Sequence, residues 1–163
     1  MFVKPSVYLE TSVIGYLTSR PSRDIIVAAQ QQLTQEWWEN RRADFNLYLS
    51  PLVLQEIGTG NETEVAGRLQ AVKGLLLLDP DEKVAALARS LVEGGPLPTK
   101  AAADAVHVAI AAVYQLDYLL TWNCKHIANA AMRSRVELIC LNAGYQAPIM
   151  CTPQELMEKA AEA

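Results

Sequence analysis

In Ser6-Val7-Tyr8-Leu9-Glu10-Thr11-Ser12 a short, apolar, β-prone run is cut off by three polar residues. It reads as a strand that ends at Glu10. The same alternation recurs along the chain. Ile14 to Leu17 begins a short helix, Arg20-Pro21-Ser22 breaks it, and Arg23 to Arg41 favours helix, with Ile25, Ile26, Ala29, Leu33 and Trp37 close to a 3.6 period. Leu47-Tyr48-Leu49 is the second strand. Ser50-Pro51 fits an N-cap with proline at the first helical position, and that helix stops near Gly58-Thr59-Gly60. Glu62 to Lys73 is helical. Leu75 to Leu78 reads as a third strand, buried on both faces by its unbroken leucines.

Asp79-Pro80-Asp81-Glu82 is a start signal with Asp79 at N-cap, Pro80 at N1 and Glu82 at N3, for a helix ending at Gly94-Gly95. An alanine-rich helix then spans Lys100 to Gln115, followed by a strand at Tyr118 to Thr121. Lys125 to Met132 reads as helix and Val136 to Leu141 as the last strand. Thr152-Pro153-Gln154-Glu155 is a capping box opening a C-terminal helix. Strands alternating with helices predict an α/β fold with a mostly parallel sheet covered on both faces. With no repeat, no low-complexity tract and no long linker, residues 1–163 read as one domain.

In parallel sheets of this kind a site lies beyond the carboxyl ends of the strands. Polar residues do follow the predicted strands. Glu10 comes directly after the first, Asn123 two residues after the Tyr118–Thr121 strand, and Glu56 about one and a half turns into the helix after the second. Asp104 is the sharpest. It is the only acidic residue between Glu93 and Asp117, in a helix otherwise small and apolar. A carboxylate on a largely buried helix needs a partner. That partner is a metal ion on one reading; on the other, Asp104 is a partly exposed first-turn acid favoured by the helix dipole.

The neighbouring residues carry paired readings too. Thr11 and Ser12 offer hydroxyls for metal-bound water or a phosphate oxygen, or for capping the next helix. Asn123 offers a carbonyl oxygen, or a strand-exit turn. His107, three residues after Asp104, reads as a core-packed histidine bonding the backbone rather than a ligand. Trp37, Trp38 and Trp122 read as packing residues, with Trp122 the aromatic nearest the site.

Hard oxygen donors of this type select Mg²⁺ or Mn²⁺. Such ions lower the pKa of a water and clamp attacking and leaving oxygens, which is what phosphodiester cleavage needs. Hydrophobic residues make up 51% of the chain, against disorder, and the net charge of −4 disfavours a nonspecific nucleic-acid coat without opposing an acidic metal site. Cys124, Cys140 and Cys151 read as free thiols, and the two histidines are too few and too far apart for zinc. The N-terminal residues do not form a signal peptide, and no apolar run is long enough to cross a bilayer, so the cytoplasm is the expected compartment.

Four stretches in order resemble the PIN domain family, and within it the VapC-like toxins of bacterial toxin–antitoxin pairs. They are Val7 to Leu17, Ser50 to Ile57, Ala103 to Ala109 and Leu119 to Ile127, with Thr152 to Leu156 similar to the family's usual ending. The resemblance covers nearly the whole chain. It implies a three-layer α/β/α sandwich and a Mg²⁺- or Mn²⁺-dependent endoribonuclease, with RNA as substrate, a small antitoxin as partner and a homodimer as assembly. Carried over, the motif acids fall on Glu10, Glu56 and Asp104, the motif hydroxyl on Thr11 or Ser12, and the fourth acidic position on Asn123. Two departures stand out: Glu10 is one methylene longer than the usual aspartate, and Asn123 is neutral. The site therefore carries less negative charge than the family pattern. The competing class is a PIN-like module that binds RNA or protein without cutting. A Rossmann nucleotide binder lacks its glycine motifs here, and an aspartyl phosphatase lacks its paired aspartates.

Overall fold

The computed structural model describes residues 3–159. β1 (Ser6–Leu9) lies at the centre of a five-stranded sheet, flanked by β2 (Asn46–Leu49) and β4 (Tyr118–Leu120), with β3 (Leu76–Leu77) and β5 (Ile149–Cys151) at the edges. Every pairing is parallel; Tyr8 sits opposite Tyr48 and Leu119, and Leu9 opposite Leu120. Val7, Tyr8 and Leu9 are fully buried, as a central strand covered on both faces must be.

The order β3-β2-β1-β4-β5 explains the layers. From β1 the chain steps outward to β2 and β3 through α1 (Thr11–Thr18), α2 (Ile25–Asn40), α3 (Pro51–Ile57) and α4 (Glu62–Ala71). It then crosses back and steps the other way through α5 (Glu82–Glu93), α6 (Ala102–Val113) and α7 (Ala130–Asn142). Right-handed crossovers in opposite directions put the two helix sets on opposite faces. The packing agrees: α1 meets α2, α3 and α4, while α5 meets α6 and α7. The result is a three-layer α/β/α sandwich.

Five local expectations need correction. The leucines of β3 are not buried on both faces; Leu76 and Leu77 are 64% and 45% exposed, because an edge strand has a neighbour on one side only. The cap of α5 is Asp81, whose carboxylate accepts from Val84 N at 2.9 Å, not Asp79.

Lys125 to Met132 and Val136 to Leu141 are not a helix and a strand. Residues 124–127 form turns, and one helix, α7, runs from Ala130 behind an Asn129 cap. Val136 and Cys140, four apart, are its buried positions, and Leu138 and Leu141 face outward. The last strand is instead β5, at Ile149–Cys151. The capping box does form, with Thr152 N donating to Glu155 Oε1 and Glu155 N donating to Thr152 Oγ1. It closes a turn and opens no helix through residue 159: residues 153–156 are turn and 157–158 a bend, so the expected C-terminal helix does not follow the box there, and only residues 160–163 of that segment lie outside the described ones.

The three cysteines are free, Cys124 exposed and Cys140 and Cys151 buried. Burial pushes the Cys140 thiol up to about 11 and the Cys151 thiol up to about 12. Since the thiolate is the reactive form, native protein should titrate one thiol with a disulfide reagent at neutral pH. The other two should appear only on unfolding. Three fast equivalents would contradict this packing.

Candidate active site

β1 and β4 are neighbours, yet the chain leaves them in opposite directions across the sheet. The carboxyl ends of such a pair open a crevice at the topological switch point. Glu10 stands there, its N–H donating to Leu120 O at 3.1 Å. Its extended backbone makes it the N-cap of α1. Oε2 accepts from Ser12 N at 3.1 Å, and Oε1 accepts from Ser12 Oγ at 2.5 Å and Thr121 Oγ1 at 2.6 Å. The side chain is buried, and Ser12 Oγ in turn accepts from Trp122 N at 2.8 Å. Ser12 thus ties the start of α1 to the end of β4.

Thr11 points elsewhere. Its Oγ1 donates at 2.6 Å to Oε1 of Glu56 in the last turn of α3, and His107 Nε2 meets the same oxygen at 2.7 Å. Ser50 and Pro51 start α3 as expected, Ser50 Oγ accepting from Val53 N at 3.4 Å. Burial alone would raise the Glu56 carboxyl, but the hydrogen bonds from His107 and Thr11 outweigh it and hold the group below its ordinary range.

His107 is buried, but its partners are side chains, not the backbone as expected. Besides Glu56, its Nδ1 lies 2.6 Å from Tyr8 OH, which is 2.8 Å from Ser50 Oγ. Burial drives the Tyr8 hydroxyl well above its usual range.

Asp104 is in the first turn of α6, and its Oδ2 lies 3.0 Å from His126 Nδ1, with side chains 20% and 16% exposed. Asn123 holds the turn that carries His126. Its Oδ1 accepts from His126 N at 3.0 Å, and its own N–H donates to Thr121 Oγ1 at 2.9 Å. The Asn123 oxygen is therefore engaged in its own loop. Trp122 is packed, its ring stacked on Tyr16 and its Nε1 donating to Thr34 Oγ1 at 2.7 Å, so its face is not offered to a base.

These contacts link the predicted residues into two connected groups. Glu10, Ser12, Thr121, Asn123, His126 and Asp104 form one; Thr11, Glu56, His107, Tyr8 and Ser50 form the other, and the chain joins them at Glu10 and Thr11. The carboxylates are not gathered into a single cage. Among the described residues no group of three or more His, Cys, Asp or Glu side chains is placed to hold a metal ion. Both Glu10 oxygens are engaged, whereas Glu56 Oε2 and Asp104 Oδ1 meet no protein donor among the described residues. One or two carboxylates with water completing the shell is a usual way to hold Mg²⁺. The donor chemistry of Glu56 and Asp104 fits that mode.

Sequence reasoning gave no role to Tyr8, Thr121 or His126, and read Ser50 only as a helix cap. Tyr8 and Ser50 were hidden in a strand and a helix cap. His126 lay inside a quoted stretch, but only the folded loop brings it to Asp104.

The sheet order and the two helical layers define a three-layer α/β/α sandwich with an all-parallel sheet, consistent with a PIN-like fold. The fold is similar to that of a chain in the crystal structure of VapBC2 from Rickettsia felis bound to a DNA fragment from their promoter, with a TM-score of 0.54 and 15% identity over 90% of this chain and 97% of that chain. A likeness at this identity speaks for the fold. No protein-family model matches the chain, and no curated protein matches it. Among the described residues no helix is long and apolar enough to cross a membrane.

Proposed function

We propose that this protein is a metal-dependent endoribonuclease, the toxin of a toxin–antitoxin pair, acting on RNA at the crevice between β1 and β4. The observation that supports the reading is that Glu10 at the end of β1, Glu56 in α3 and Asp104 at the start of α6 are each held by hydroxyl or imidazole donors from another part of the chain. The motif resemblance supplies the activity class, and the fold likeness supports it. Glu56 and Asp104 are the residues that would hold Mg²⁺ or Mn²⁺ through their unengaged oxygens. Bound there, the ion would supply Lewis acidity and charge stabilisation for phosphodiester hydrolysis. Glu10, Ser12 and Thr121 fix the start of α1 against β4. Asn123 and His126 fix the loop facing Asp104. A small antitoxin and a second copy of the chain are the partners this reading entails.

The test is cleavage of a panel of structured RNAs by purified protein with Mn²⁺, Mg²⁺ or EDTA. Cutting that needs the metal is the expected result. A second reading has two observations in its favour: among the described residues no three-ligand group is assembled, and Glu10 is engaged as a helix cap. On that reading the fold binds RNA or a protein without cutting. RNA binding indifferent to EDTA, with no cleavage in either metal, would favour it.

A further inference from the structure

Ser50, Tyr8 and His107 are almost wholly excluded from solvent, at 0%, 0% and 1% exposure, yet each is polar at its tip. Buried groups of this kind must satisfy one another. Their contacts form a single line: Val53 N to Ser50 Oγ, Ser50 Oγ to Tyr8 OH, Tyr8 OH to His107 Nδ1, and His107 Nε2 to Glu56 Oε1. Thr11 Oγ1 donates to the same Glu56 oxygen.

Proton counting gives the line a direction. A carboxylate has no proton to offer, so Nε2 of His107 must be the donor to Glu56. In the neutral ring Nδ1 is then a bare acceptor, and Tyr8 must donate to it. Tyr8 has one proton, so its oxygen takes the Ser50 proton, and Ser50 Oγ accepts from Val53 N–H. Every donor finds an acceptor. The reverse chain, with a proton on Nδ1 as well, has Tyr8 donating to Ser50. The buried Ser50 proton then has no acceptor among the described residues. The opposite tautomer sets two lone pairs against each other across the 2.7 Å between Nε2 and Glu56 Oε1. Burial keeps the Tyr8 hydroxyl protonated, as this direction requires.

We propose that Tyr8 and His107 are positioning residues that act on the site through Glu56: a one-way hydrogen-bond chain from Ser50 locks His107 with its proton on Nε2, pins Glu56 by Oε1, and leaves Oε2 alone to face the ligand. The role rests on the nuclease reading above; the chain itself does not. It couples the strand β1, the N-cap of α3 and the helix α6 to one carboxylate oxygen. Outer partners of this sort set ligand orientation, and losing one weakens metal binding by roughly tenfold to a hundredfold.

The first test is long-range ¹H–¹⁵N NMR on metal-free protein labelled at its two histidines. His107 should carry its proton on Nε2 at neutral pH, and Tyr8→Phe should move the Nδ1 resonance toward that of a bare ring nitrogen. A proton on Nδ1, alone or with Nε2, would overturn the chain. The second test is Mn²⁺ titration of folded Tyr8→Phe and Thr11→Val, each expected to bind roughly tenfold to a hundredfold more weakly. Wild-type affinity in Tyr8→Phe would overturn the positioning role, whatever Thr11→Val does. Wild-type protein that binds no Mn²⁺, with the expected NMR pattern, overturns the nuclease reading and the positioning role while leaving the chain's direction established.

Discussion

Asp104→Asn is expected to lower metal-dependent RNA cleavage by on the order of a hundredfold or more, and to relieve the growth arrest that expression of the wild type should cause. The exchange keeps shape and removes charge. Its cost falls on the stabilisation a carboxylate gives to a bound divalent ion, worth several kcal/mol in a reaction that develops negative charge, with about 1.4 kcal/mol for each tenfold. It should fall little on folding. Asp104 is only partly buried, sits in the first turn of α6, and has one side-chain partner, His126, for which an amide oxygen remains an acceptor. Stability within roughly 1 kcal/mol of wild type is therefore expected, so lost activity cannot be put down to lost protein. The comparison is made on purified proteins matched for melting temperature, with Mn²⁺ and with EDTA. Undiminished cutting, or undiminished toxicity on expression, would remove Asp104 from the site.

Much of this was readable from residues alone, for identifiable reasons. Ser6 to Leu9 and the Ser50-Pro51 start are strong local signals, and both elements lie where expected. An isolated aspartate in an alanine-rich helix is conspicuous because its neighbours cannot solvate it. Local pattern fails where a neighbour decides. Leu75 to Leu78 reads as a buried strand whether it lies at the centre or the edge of a sheet; only strand order separates the two. Val136 to Leu141 is β-prone, but it is claimed by a helix begun six residues earlier at Ala130, behind the Asn129 cap. β5 is three residues long and offers no period to detect.

The site divides along the same line. The acids could be named, but their orientation could not, because it depends on distant donors. Glu10 is turned onto its own helix by Thr121, 111 residues away, and Glu56 is held by a histidine 51 residues away. Hydrogen-bond partners of that separation leave no trace in local spacing. The expectation that His107 bonds the backbone failed for this reason: on the helix surface it is simply an apolar-face histidine, and Tyr8 and Glu56 reach it from two other elements.

Glu10→Ala is expected to destabilise the metal-free protein by about 2–4 kcal/mol, a loss larger than a ligand role alone would bring. Three donors lose their acceptor together: Ser12 N, Ser12 Oγ and the fully buried Thr121 Oγ1. A lost N-cap costs about 0.5–2 kcal/mol. A buried donor left without a partner costs about 1–3 kcal/mol, and Ser12 keeps its contact with Trp122, which limits the total. For a domain of this size each kcal/mol moves the melting point by roughly 2–4 °C, so thermal unfolding in EDTA reads the effect easily. Glu10→Gln is the discriminating partner: its one amide oxygen can stand in for Oε1 and accept from Thr121 Oγ1 and Ser12 Oγ, while its NH2 takes the place of Oε2 and loses the bond from Ser12 N. It should recover part of the stability while lacking the charge a cation needs. A large loss in Glu10→Ala, partly recovered in Glu10→Gln, means that Glu10 anchors the start of α1 against β4 through its oxygens. A melting point unchanged by Glu10→Ala means that in solution the carboxylate is released from its cap. Glu10 is then free to offer its oxygens to a cation.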